Sequence, residues 1–122
     1  MVDYVNISRY EEGNQIGVVF DVTADKPSEV AEKMEAIDEN AYMNGYNWEA
    51  FFNFYLAETA PELLDGIETD PEAETYAAYY ELSDENEKKA ERFAKLIETL
   101  VEEETELLQF LRERGGEIEW ED

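Results

Sequence analysis

The chain has 122 residues, with 33 carboxylate side chains against 9 Lys or Arg, a formal charge of −24, and neither His nor Cys. So acidic a protein repels phosphate backbones and anionic lipid surfaces and draws basic molecules toward it, which sets aside nucleic acid and membrane as partners. Without imidazole or thiol it lacks the usual general base near neutral pH, the usual transition-metal ligands and any disulfide, and Ser8, Ser28 and Ser83 have no His to activate them.

Hydrophobic residues make up 43% of the chain and 16 side chains are aromatic, enough to fill a core. Residues 1–122 are therefore expected to form one domain and not an acidic disordered tail. The first residues lack the basic-then-apolar pattern of a secretory leader, and no stretch reaches the roughly 18 apolar residues of a membrane span. A cytoplasmic location is the expectation.

From Tyr4 to Tyr10 the chain alternates, with Val5 and Ile7 on one face and Tyr4, Asn6 and Ser8 on the other. After a turn at Glu11-Glu12-Gly13-Asn14, residues Gln15 to Val22 place Ile16, Val18, Phe20 and Val22 on one face, so the two runs read as a hairpin. Asp25 and Pro27 mark a helix start, and Val30, Met34 and Ile37 recur at helical spacing before Asn40. Asn47 is the expected N-cap of a second helix, whose Trp48, Phe51, Phe52, Tyr55 and Leu56 form an aromatic stripe.

Pro61, Gly66 and Pro71 punctuate the next stretch, and Glu74 to Leu82 then alternates again as a third strand. Ser83 caps a helical pattern that runs to Gly115-Gly116. As one helix it would be about 45 Å long, more than such a domain is wide, so a break is expected near Glu102 to Thr105. Glu117-Ile118-Glu119-Trp120 alternates and reads as a short final strand. The fold class is α+β: a small, mainly antiparallel sheet of three to four strands packed against several helices.

The cluster Gly45-Tyr46-Asn47-Trp48-Glu49, followed by Asp70-Pro71-Glu72-Ala73, resembles a bacterial immunity-protein family, immunity protein family fifty-one. The matching residues are Gly45, Tyr46, Trp48 and Glu49 in the first element and Asp70, Pro71, Glu72 and Ala73 in the second. After Ala73 this chain departs, with Glu74-Thr75-Tyr76 in place of a small residue followed by apolar ones. The resemblance implies a small α+β protein of bacterial cytoplasm that neutralises a cognate toxin by direct binding, without catalysis and without a cofactor.

On that reading the partner is a toxin with a basic surface, and the candidate contact residues are Tyr46, Trp48, Glu49, Asp70, Glu72, Tyr79 and Glu81. Trp48 equally fits a core position, and Gly45 and Asn47 equally fit a turn and a cap. The alternative is an acidic binding module or nucleic-acid mimic, its carboxylates standing in for phosphates in the basic groove of a DNA-binding protein. Adaptation to high salt also predicts an acidic surface, although the 25 Glu against 8 Asp suit helix propensity better. Glu102-Glu103-Glu104, or Asp70 with Glu72 and Glu74, offers oxygen ligands for a hard cation but lacks the Gly-containing loop of an EF-hand. No pair of carboxylates is marked out for glycoside hydrolysis.

Overall fold

A computed structural model describes residues 2–121. Strands β1 (Val5–Tyr10) and β2 (Gln15–Asp21) form the expected antiparallel hairpin, with Val5 opposite Phe20 and Tyr10 opposite Gln15. Asn14 closes its turn in the left-handed region, at φ 53°, a conformation that Asn tolerates better than other side chains with a Cβ. Ile16, Val18 and Phe20 are fully buried on the helix side of β2.

Helix α1 (Asp25–Ile37) buries Pro27, Val30, Ala31 and Met34, and α2 (Gly45–Thr59) buries the stripe Trp48, Phe51, Phe52, Tyr55 and Leu56. A 3-10 turn at Pro61–Leu63 leads to β3 (Glu68–Thr69) and β4 (Thr75–Glu81). The Tyr80 hydroxyl donates to the Leu63 carbonyl at 2.6 Å and pins that turn to β4. Helix α3 (Asp84–Glu102) starts from Ser83, whose Oγ accepts the Asn86 N–H at 3.0 Å. The break falls where helix length requires it, after Glu102, and α4 (Thr105–Arg114) completes the helical layer.

The sheet order is β1-β2-β4-β3, all pairs antiparallel. Helices α2 and α3 pack on one of its faces, and α1 and α4 pack on each other and on α3. The core between sheet and helices is a chain of aromatic contacts: Phe20 to Trp48 at 5.1 Å, Phe52 to Tyr76 at 5.0 Å and Phe52 to Phe93 at 5.4 Å between ring centroids. The other face of the sheet carries no helix.

Four expectations change. The N-cap of α2 is Asn44, whose Oδ1 accepts the Asn47 N–H at 3.0 Å. Asn47 lies inside the helix, 1% exposed, and its amide bonds the backbone carbonyls of Tyr42 and Glu121 and the Glu121 N–H. Two Asn three residues apart are both acceptable caps by type, and tertiary partners decide between them. Residues 117–120 add no strand: Gly115–Glu117 is a 3-10 turn, Ile118 is buried, and the Trp120 indole donates to Asp38 at 3.0 Å. β3 lies where only punctuation was legible, because two residues carry no period. Tyr4, expected to share a face with Asn6 and Ser8, is instead buried just before β1 and donates to Glu102 at 2.6 Å.

The two sequence elements that carried the resemblance meet in space. β3 and β4 close on a two-residue turn, Ala73-Glu74, with the Glu72 N–H bonded to the Thr75 carbonyl at 2.8 Å. The first residue of α2 seats against that turn: the Gly45 N–H donates to the Ala73 carbonyl at 3.2 Å. A Cβ on Gly45 would stand 1.8 Å from the Glu72 carbonyl oxygen and 2.0 Å from that of Thr75, so no other residue fits without moving the backbone. The Thr69 hydroxyl donates to Glu49 one helical turn further on. Gly45→Ala is therefore expected to lower stability by at least about 2 kcal/mol through overpacking, read from urea unfolding midpoints, whereas Gly116→Ala, with nothing within 4 Å of its Cβ, stays within about 0.5 kcal/mol of the parent.

Candidate partner-binding site

The uncovered face of the sheet is built by alternation. Asn6, Ser8 and Tyr10 on β1, Gln15, Gly17, Val19 and Asp21 on β2, and Thr75, Ala77, Tyr79 and Glu81 on β4 all point away from the helices. Glu68 on β3 lies opposite Tyr79 and joins them. At the centre is Tyr79, half-buried, beside Gly17 in the register. A Cβ on Gly17 would come within 2.7 Å of the Tyr79 ring, so the missing side chain on β2 is what lets the ring lie across that strand. It reaches Tyr10 on β1, edge to face, at 6.0 Å between centroids.

Carboxylates surround this tyrosine pair. A shallow groove of about 310 Å³ is lined by Asn14, Gln15, Glu68, Tyr79 and Glu81 among others. Burial first, then the neighbouring Tyr10, Asp70 and Glu72, hold the Tyr79 phenol above its ordinary range, which places both carboxylates within electrostatic reach of the ring. No Lys or Arg shares the face. Arg9, the basic residue of β1, belongs to the helix-side row with Val5 and Ile7 and pairs with Glu87 of α3 at 2.5 Å.

Most of the cations are engaged on the helical side. Lys26 and Lys33 of α1 both pair with Glu104, Lys89 and Arg92 of α3 pair with Asp65 and Glu62, and Arg114 pairs with Glu58 and Glu117. A concavity of about 630 Å³ also lies there, and in its lining Lys88, Arg92 and Lys95 outnumber Glu91, the wrong sign for a basic partner. What the open sheet face offers is aromatic surface ringed by uncompensated negative charge, the chemistry that receives Arg and Lys side chains.

The seven residues singled out from the sequence divide four ways. Tyr79, Glu81, Asp70 and Glu72 come together on or beside the sheet face. Tyr46 is 43% exposed at the start of α2, next to the glycine that touches the Ala73 turn. Glu49 is half-buried and engaged with Thr69. Trp48 is a correction: it is 0% exposed, enclosed by Phe20, Phe51 and Phe52, and has no surface to give a partner. Tyr10 and Glu68 were missed, since nothing local ties them to Tyr79. One signal was present: an isolated Gly inside a strand, Gly17, marks a close approach by a neighbour.

The run Glu102-Glu103-Glu104 is largely structural. Glu102 receives the Tyr4 hydroxyl and Glu104 the two α1 lysines, while just beyond it Glu106 receives the Tyr55 hydroxyl at 3.1 Å. Among the described residues no group of three or more Asp or Glu is arranged to hold a metal ion. No described helix is long and apolar enough to cross a membrane.

Fold and face together describe a small acidic α+β protein with an open, tyrosine-centred sheet. A family model described as Immunity protein 51 matches residues 7–115, and the chain belongs to that immunity-protein family. No curated protein and no solved structure matches it.

Lys33 first and Lys26 second hold the Glu104 carboxyl below its ordinary value of 4.5. The folded state thus binds that proton more weakly than the unfolded chain, and the stabilisation is complete above pH 4.5 and lost as pH falls through the depressed value. Glu104→Gln is expected to lower Tm by a few degrees at pH 7, and the gap to the parent closes below pH 4.5 in thermal melts across that range.

Proposed function

We propose that this protein neutralises a cognate bacterial toxin by stoichiometric binding, with the outer face of its sheet as the contact surface. Family membership supports the immunity role. The observation that supports the surface is the Tyr10–Tyr79 pair, ringed by Glu68, Asp70, Glu72 and Glu81 with no cation among them. The acidic field accelerates encounter with a basic surface, and the tyrosines supply rigid contact area whose desolvation holds the complex. Tyr46 extends the contact toward the start of α2.

No catalysis is required of the protein itself. If the toxin is a nuclease, its substrate groove is basic, and this face competes with nucleic acid for it. Such a protein works in the cytoplasm, where a toxin delivered to the cell acts. The second reading, a nucleic-acid mimic with many partners, draws on the same carboxylates but assigns no work to the tyrosines.

Salt separates the two readings. The purified protein, immobilised, is challenged with lysate of its own cells at low and then moderate salt. Toxin neutralisation predicts one stoichiometric partner that survives the salt step, kills when expressed alone and is silenced by coexpression. Recovery of many basic proteins, all released by salt, would overturn it.

The surface has its own test. Gly17→Ala displaces the Tyr79 ring while favouring the strand, and with Tyr79→Ala and Glu81→Lys it is expected to weaken the complex by about 30-fold, a hot-spot loss of about 2 kcal/mol. Circular dichroism and Tm should stay near those of the parent. Unchanged affinity in all three variants would place the contact elsewhere.

A further inference from the structure

Strand β1 is an outer strand, and β2 uses only half of its backbone groups. The Asp21 N–H bonds the Tyr4 carbonyl at 2.8 Å, so in the same register the pairs Asn6–Val19, Ser8–Gly17 and Tyr10–Gln15 exchange the ladder hydrogen bonds. The N–H and C=O groups of Val5, Ile7 and Arg9 point the other way, out of the sheet. At the opposite edge β3 is two residues long and Thr69 is tied to Glu49 of α2. β1 is thus the one long open edge among the described strands, with no proline and no bulge. Edges of this kind are normally blocked.

A groove of about 470 Å³ runs beside that edge between β1 and α3, lined by Val5, Asn6, Ile7, Glu91, Ala94, Lys95 and Glu98. It lies where a strand added to β1 would turn alternate side chains toward the helix. Its apolar surface is Ile7 and Ala94, both half-buried. In its lining Glu91 and Glu98 outnumber Lys95, and beyond its end Glu102 and Asp3 add negative charge around the Tyr4 phenol.

We propose that the β1 edge is a docking site for an extended segment of a basic partner protein, one that alternates apolar residues with Lys or Arg and adds to the sheet as a fifth strand. Its backbone pairs with Val5, Ile7 and Arg9, its apolar side chains cover Ile7 and Ala94, and its cations meet Glu91 and Glu98. Charge selects this occupant over a second copy of the chain, because two molecules at −24 oppose each other at strand spacing. Strand addition here is independent of contact on the outer face: a partner held by Tyr79 alone leaves these amides free.

The probe is a capped eight-residue peptide alternating Val and Lys, set against its Val/Glu counterpart, with amide hydrogen exchange of the full chain read by NMR. The Val/Lys peptide is expected to slow exchange at Val5, Ile7 and Arg9 by about tenfold, and the Val/Glu peptide to leave it unchanged. Ile7→Pro removes an outward N–H and no ladder bond, and is expected to weaken peptide binding at least tenfold. Ala94→Arg, a surface change on α3 that fills the groove, does the same if Ile7→Pro fails to fold. Tyr79→Ala binds the peptide like the parent. Three results would overturn the proposal: no protection at millimolar peptide, binding unaffected by both edge variants, or protection of the same amides at high protein concentration without peptide, which marks self-pairing.

Discussion

One missing side chain sets the geometry of this protein. Because Gly45 has no Cβ, the first turn of α2 sits directly on the Ala73-Glu74 turn, backbone against backbone, and helix and hairpin are joined at one point. From that point Asn44 caps the helix, Asn47 takes hold of the Glu121 backbone, and Glu49 reaches Thr69. Trp48 and Phe52 are thereby delivered against Phe20 and Tyr76, the centre of the core. The two short elements that carried the resemblance are the two halves of this joint.

Charge is arranged with equal economy. In each of the ion pairs the cation comes from β1 or from a helix and secures a loop or a neighbouring helix, as when Glu104 between α3 and α4 gathers Lys26 and Lys33 from α1. The excess carboxylates are left with no such partner, and Glu68, Asp70, Glu72 and Glu81 among them border a sheet face without a cation. A net charge of −24 would be only a burden on the compact state if it were spread evenly. Where Glu68, Asp70, Glu72 and Glu81 stand beside Tyr79 without a cation, part of it gains a local direction.

Much of the fold was legible because its signals are local. The hairpin alternation, the aromatic stripe of α2, the Ser83 cap and the break after Glu102 each follow from period, capping chemistry or helix length. What escaped depends on contacts distant in sequence. Asn44 and Asn47 differ only in what surrounds them, and the tail at Ile118 and Trp120 alternates yet follows α1 and the core instead of joining the sheet. Four of the seven contact candidates, Asp70, Glu72, Tyr79 and Glu81, fall together because they flank one strand, but Tyr10 and Glu68 join them only through β-pairings with no local code. Trp48 shares its motif with exposed Tyr46, but that motif builds the joint and the ring lies in the core.

Because the helices stand on one side of the sheet, packing and the open face are written in different residues. Ile16, Val18, Phe20, Tyr76 and Tyr80 face the core and are constrained by packing. Gln15 and Glu81 sit on the same strands, one residue out of phase, with Ser8 and Glu68 on the strands beside them, and changes at such surface positions usually cost within about 0.5 kcal/mol. The outer rows of these strands are therefore free to vary without disturbing the scaffold beneath, which is locked at Gly45.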